Sequence, residues 1–217
     1  MCGRFALTLP HDAMAQLFAA APANDLPVVP NFNICPTNHV HTILNEEGRK
    51  LTSMRWGFIP SWYKKPADGP LLINARAETI AEKPAFREAY RARRCIIPAM
   101  GFYEWTKDPD GNRLPWYIHS NTEVTAFAGI WQTWGEGEDR QNTCAIVTTP
   151  ANKTMSAVHH RMPVTLSPDQ YAMWLGEEGK GAARLMTAAP EDRFEFYRVE
   201  PVVNSNRASG SELIEPL

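Results

Sequence analysis

The chain has 217 residues, 44% apolar and 21% charged, which is an ordinary globular composition with enough length for one real core. A net charge of -2 and a pI near 6.3 exclude a strongly basic, non-specific nucleic-acid binder, though not a narrow binding groove. No stretch is long and apolar enough to span a membrane, and four scattered cysteines without a Cys-x-x-Cys pair argue against a zinc site or a disulfide framework.

In chain order, the N-terminus MCGRFALTLP lacks the basic stretch and long apolar run of a signal peptide, so a cytoplasmic protein is expected. The first helix is expected over residues 12–20, with Met14, Leu17 and Phe18 on one face. Strand-like runs follow at 40–44 and 51–56. A second helix is expected to begin near Pro84, with Phe86, Ala89 and Tyr90 on its buried face. Further strand-like runs cover 95–97, 102–106, 116–119, 124–131, 144–149 and 196–202. Asp108-Pro109-Asp110-Gly111-Asn112 is a hairpin signal. Ser167-Pro168-Asp169-Gln170 is a helix start with a capping box, Tyr171, Trp174 and Leu175 form the buried stripe, and Gly176 is the stop. Strands dominate, and 18 prolines spread along the chain favour short connections. The expectation is a single α+β domain over 1–217, built on a mostly antiparallel, barrel-like β-sheet with a few peripheral helices.

Five segments can carry chemistry. Met1-Cys2-Gly3-Arg4 comes first, because methionine aminopeptidases remove Met1 before a small residue, leaving Cys2 with a free α-amine beside its thiol. In model compounds these groups titrate near ~8 and ~8.5, so both have a reactive fraction at neutral pH. Such a 1,2-aminothiol condenses with an aldehyde and closes a thiazolidine ring; alternatively its thiol attacks an acyl group with its own amine as base. In Ile73-Asn74-Ala75-Arg76-Ala77-Glu78-Thr79, Asn74 can orient a carbonyl or hydroxyl and Arg76 can hold a phosphate. In Met100-Gly101-Phe102-Tyr103-Glu104-Trp105, alternation puts Tyr103 and Trp105 on one face and Phe102 and Glu104 on the other. A Glu on such a face is either paired or functional. Two histidines, His159 and His160, precede Arg161-Met162-Pro163; on an extended segment one would face a site and the other solvent. In Trp56-Gly57-Phe58-Ile59-Pro60-Ser61-Trp62-Tyr63, Trp62 and Tyr63 are candidates for stacking on unpaired bases.

Taken in order, MCGRF, N-x-N-I-x-P-T, WGFIPSW, INARAET, CIIPAxGFYEW, IVTTPAN and HHRMP resemble the SRAP family (SOS response-associated peptidases) from end to end. The resemblance implies an SRAP-type fold. It also implies covalent trapping of abasic sites in single-stranded DNA by Cys2, and removal of Met1 by the protein itself. It implies catalytic roles for Cys2, Asn74, Glu104 and His159, the last chosen over His160 by its distance from the Arg of the motif. Arg4, Asn33, Pro36, Arg76, Thr148 and Arg161 would line the DNA path, with Trp62 beside it. Cys35 stands where the family pattern has Ala, which sets a second thiol near the site. No metal or other cofactor is expected; the expected partner is single-stranded DNA with an abasic site, met by a monomer away from membranes. Two other readings compete: an N-terminal-nucleophile amidohydrolase with Asn74 in an oxyanion role, and a non-catalytic single-stranded DNA binding module stacking bases on Trp62.

Overall fold

The structure is a computed structural model and describes residues 2–217. Its strands are β1 (Phe5–Leu7), β2 (Ala21–Pro22), β3 (Asn31–Ile34), β4 (His39–Asn45), β5 (Arg49–Trp56), β6 (Asn74–Arg76) and β7 (Arg94–Ala99). They continue as β8 (Gly101–Lys107), β9 (Arg113–Ser120), β10 (Thr125–Trp134), β11 (Gln141–Pro150), β12 (Arg161–Pro163), β13 (Thr165–Leu166) and β14 (Phe194–Arg198). The helices are short: α1 (His11–Leu17), α2 (Arg87–Ala92), α3 (Lys153–Ser156) and α4 (Tyr171–Leu175).

Strands β11, β10, β7, β4 and β5 pair antiparallel in that order. A parallel pairing of β5 with β11, which sets Trp56 opposite Cys144, closes the ring. The result is a five-stranded, mostly antiparallel barrel, with β2, β6, β12 and β13 added at its rim. A second, antiparallel sheet runs β14-β9-β8-β1-β3. The expected α+β, barrel-like architecture is the observed one.

The two layers share a core of aromatic rings. Phe5 of β1 meets Trp56 and Phe127 edge-on at 5.1 and 5.9 Å, and Phe102 of β8 reaches Phe127 at 5.9 Å. Such pairs contribute about 0.5–1.5 kcal/mol each beyond the area they bury. Gly101 lets β8 lie against β9, since a Cβ there would sit 2.6 Å from the carbonyl oxygen of Ile118. A smaller cluster lies on the far face of the second sheet, where Ala6, Tyr103 and Tyr117 are covered by Val199, Val203 and Leu213. The covering chain, residues 199–217, is a strap of two 3-10 turns, and the hydroxyls of Tyr103 and Tyr197 fasten the sheet's surroundings by donating to the carbonyls of Phe32 (2.7 Å) and Ile214 (2.6 Å).

Several local expectations need adjusting. The first helix starts at His11 and stops at Leu17, because Ala19 turns to a positive φ of 49°. The second begins only at Arg87, after turns at Pro84–Phe86. The run expected at 196–202 is a strand only to Arg198; Glu200-Pro201 starts a 3-10 turn instead. The hairpin at 108–112 forms, with Asn112 N–H donating to Asp108 Oδ1 at 2.8 Å. The capping box forms too, with Ser167 N–H bonded to Gln170 Oε1 at 3.0 Å and Gly176 in the left-handed conformation after α4. Among the described residues no helix is long and apolar enough to cross a membrane.

Candidate functional site

The site assembles where the second sheet meets the barrel rim. Strand β1 is held between β3 and β8, with Phe5 opposite both Ile34 and Phe102, and the N–H of Tyr103 donates to Arg4 O at 2.9 Å. This pairing delivers Cys2, just upstream, to the edge of β6. Strand β6 owes its extended form to β11, on which it lies parallel with Asn74 opposite Ile146 and Arg76 opposite Thr148. Asn74 Nδ2 then donates to the Cys2 carbonyl at 3.0 Å. Its Oδ1 is buried and has no hydrogen-bond partner among the described residues. Met1, whose removal the sequence leads one to expect, lies outside the described residues.

Cys2 is fully buried. Burial, and then the charge of nearby Glu104, push its thiol well above the ordinary range, while the backbone N–H of Arg4 pulls the other way. Glu104 is 3% exposed, and burial raises its carboxyl's proton affinity. The alternation read from the sequence holds: Phe102 joins the main core, and Tyr103 and Trp105 lie on the strap side. Burial thus inclines both groups to hold their protons.

The two histidines differ from expectation. They follow α3 in a turn rather than on an extended strand, so their rings do not point apart but stack at 4.3 Å. His159 Nδ1 lies 2.9 Å from the N–H of Arg161, which fixes the ring, and burial lowers its proton affinity. His160 is exposed, and the neighbouring His159 lowers its proton affinity, with Glu104 acting the other way. The structure thus brings Cys2, Asn74 and Glu104 together, with the histidine pair alongside.

The residues expected along a DNA path divide into two groups. Arg76 is exposed and Trp62 is 57% exposed; with Asn74, Leu72 and Phe86 they line a cavity of about 550 Å³. Arg4, Asn33, Thr148 and Arg161 instead bond within the protein. The Arg4 guanidinium donates to Asn33 Oδ1 (2.7 Å) and to Val203 O (2.9 Å), and it lies 5.7 Å from the Trp105 ring. Asn33 Nδ2 donates to the carbonyls of Ser205 (3.2 Å) and Ala208 (2.6 Å). Arg161 forms a two-pronged ion pair with Glu78 and donates to Thr148 O at 2.8 Å, so its carboxylate partner is Glu78 and not Glu104. Pro36 is half-buried, beside Cys35, whose Sγ lies 3.4 Å from Asn33 O. Sequence reading assigned no role to Glu78, although it stands in the polar cluster two residues from Arg76, nor to the strap, which no local pattern connects to Arg4.

A family model described as SOS response associated peptidase (SRAP) matches residues 1–206. The chain is similar to the abasic site processing protein YoqW of Bacillus subtilis (36% identical, 99% of each chain covered). It is similar to the abasic site processing protein YedK of Escherichia coli (32% identical, 100% of each). It also matches the abasic site processing protein HMCES of Pongo abelii at 28% identity, over all of this chain and 76% of that one. Among solved structures, a protein from Bacteroides thetaiotaomicron superposes with a TM-score of 0.86 over the whole of both chains at 22% identity, a likeness of fold. A phage-related protein from Bordetella bronchiseptica superposes with a TM-score of 0.73 at 28% identity, over 91% of this chain and 94% of that one.

Proposed function

The chain belongs to the SOS response associated peptidase (SRAP) family, and from that membership and the site's chemistry we propose that it processes abasic sites in single-stranded DNA by forming a covalent link through Cys2. The relatives' names speak of abasic sites, whose ring-opened form is an aldehyde. The observation that carries the reading is the grip on Cys2: its carbonyl is held by Asn74 Nδ2 at 3.0 Å, and its thiol lies within the field of the buried Glu104.

The reaction needs Met1 removed, so that Cys2 has an α-amine. That removal is the peptidase step we assign to the protein itself: water adds to the Met1 carbonyl carbon, the Met1–Cys2 C–N bond breaks with Glu104 passing the proton to the departing Cys2 amine, and free methionine leaves. The amine nitrogen then attacks the aldehyde carbon, and the carbinolamine loses water to give an imine. The thiol sulfur adds to the imine carbon while its proton ends on the nitrogen, closing the thiazolidine. No oxidant or reductant is consumed. A thiol that keeps its proton suits this last step if a neighbouring carboxyl carries the proton across, the role of Glu104. His159, held by its Nδ1 edge, serves the opening of the sugar. Arg76 and Trp62 receive the strand, by phosphate contact and by stacking. This chemistry is lyase-like, since the same amine adduct can lead to strand scission.

Cys2→Ala removes the thiol that closes the ring and little else. It is expected to abolish the heat-stable band on a denaturing gel with abasic single-stranded DNA while leaving reversible binding intact, and intact mass of the wild type should lack Met1. A retained Met1 in a crosslinking preparation, or a heat-stable band with Cys2→Ala, would overturn the mechanism.

A further inference from the structure

Trp62 is shared by two cavities. On one side is the site cavity with Asn74 and Arg76; on the other is a cleft of about 330 Å³ that also borrows Pro84 and Ala85 and is headed by Arg93. The exposed indole thus lines both hollows.

Arg93 lies where α2 ends and β7 begins, and its backbone is fixed by Arg93 N–H to Ala89 O at 2.7 Å and by Trp131 N–H to its own carbonyl at 2.9 Å. Its guanidinium makes no hydrogen bond or ion pair among the described residues, and its Nε is buried without a partner. A buried N–H on a cation left in that state is costly unless an acceptor arrives. The other polar groups of the cleft are committed elsewhere: Gln132 Nε2 donates to Ile59 O, and Thr133 Oγ1 donates to Asn142 Oδ1 at 2.8 Å. The one carboxylate there, Glu88, is flanked by Arg91 at 3.3 Å and Arg87 at 3.8 Å, which offset its repulsion of an anion. The exposed Ser61 adds a hydroxyl beside the indole.

We propose that this cleft is a second phosphate subsite: a single strand leaving the Asn74–Arg76 cavity crosses the Trp62 ring and seats its next phosphodiester on Arg93. The planar guanidinium fork matches two phosphate oxygens, and stacking on the indole sets the spacing without selecting a base. The inference rests on the reading that single-stranded DNA is the substrate, and it sets a minimum length of strand on one side of the lesion only.

The test uses oligonucleotides carrying a tetrahydrofuran abasic analogue, which lacks the aldehyde and so binds the full chain reversibly. One flank, then the other, is lengthened a nucleotide at a time. Wild-type affinity is expected to step up when one flank passes Trp62. Arg93→Gln is expected to erase that step, a loss of about tenfold for one charge-assisted contact, and to flatten the salt dependence by about 0.7 in log–log slope, the increment for one phosphate on a single strand. Arg93→Lys should keep the slope and lose part of the step. A step that survives in Arg93→Gln, or a loss equal in the shortest oligonucleotide, would overturn the subsite. A wild type that forms no heat-stable product with a true abasic strand would instead overturn the proposed function, so the two failures are distinct.

Discussion

Asn74→Ala separates site from scaffold most sharply. The substitution removes one hydrogen bond, Nδ2 to Cys2 O, with a net value of about 0.5–1.5 kcal/mol. It also removes Oδ1, an acceptor buried without a partner among the described residues, whose desolvation costs about 1–3 kcal/mol. The backbone pairing of β6 on β11 does not involve the side chain and survives, as does the bond from Ile146 N–H to Ile73 O at 3.0 Å. The two terms together run from a loss of about 0.5 to a gain of about 2.5 kcal/mol. For a domain of this size that is a Tm between about 2 °C lower and 10 °C higher. The reaction should fare the opposite way, because a nucleophile no longer held by its carbonyl is misplaced, and an error near 1 Å costs on the order of 100-fold. A melting curve and a single-turnover crosslinking time course on the same preparation measure both. A Tm lowered by more than about 4 °C with an unchanged rate per folded molecule would refute the reasoning and return Asn74 to the scaffold.

Glu104→Gln should slow crosslinking by about 100- to 10,000-fold. Because burial raises the wild-type carboxyl, its stabilising effect is present in acid and lost as pH rises through the folded value, so the variant should gain Tm over wild type at pH 8 and not at pH 4; equal shifts at both would contradict this. His41, 2% exposed beside His11 with its rings 5.0 Å apart, is pushed down to about 4 by burial first and His11 second. A depressed base makes the folded state weaker as pH falls from about 6.5 toward 4, by up to roughly 3 kcal/mol, and His41→Leu should remove that acid sensitivity in melts taken at pH 7 and pH 4.5. Arg161→Met should remove the charged bonds to Thr148 O, which keeps the Ala77 N–H at 2.8 Å, and to Thr148 Oγ1, at a cost of about 1.5–3 kcal/mol while Glu78, 44% exposed, regains water. An unchanged Tm with weakened DNA binding would show instead that Arg161 serves the ligand.

What the sequence disclosed, and what it hid, follows from the range of the forces involved. The Asp108–Asn112 hairpin and the Ser167 capping box are made of bonds three or four residues apart, so the residue types announce them. Strands β1 and β6 are three residues each, too short to show a period, and are extended because partners on both sides or on β11 hold them so. The histidine pair was read on an extended segment, but Asn152 caps α3 just upstream, and the chain leaves that helix in a turn that stacks the rings. Cys2 is legible as the residue behind a removable Met1, Asn74 and Glu104 as polar residues in strand-like settings, and their meeting is a matter of tertiary pairing. Least legible were the arginines: Arg161 finds Glu78 83 positions away and Arg4 finds Val203 199 positions away, distances over which local pattern carries no information.

The strap over the second sheet has a consequence for timing during synthesis. Arg4, whose backbone N–H serves the Cys2 thiol, is anchored by carbonyls at 203 and 205, and Asn33 by those at 205 and 208. A ribosome makes Cys2 early and these anchors almost two hundred codons later, so a nascent chain carries Cys2 long before the frame around it exists. The frame around Cys2 is therefore closed by the last part of the chain to be made: a chain truncated before residue 203 lacks the carbonyls that hold Arg4 and Asn33.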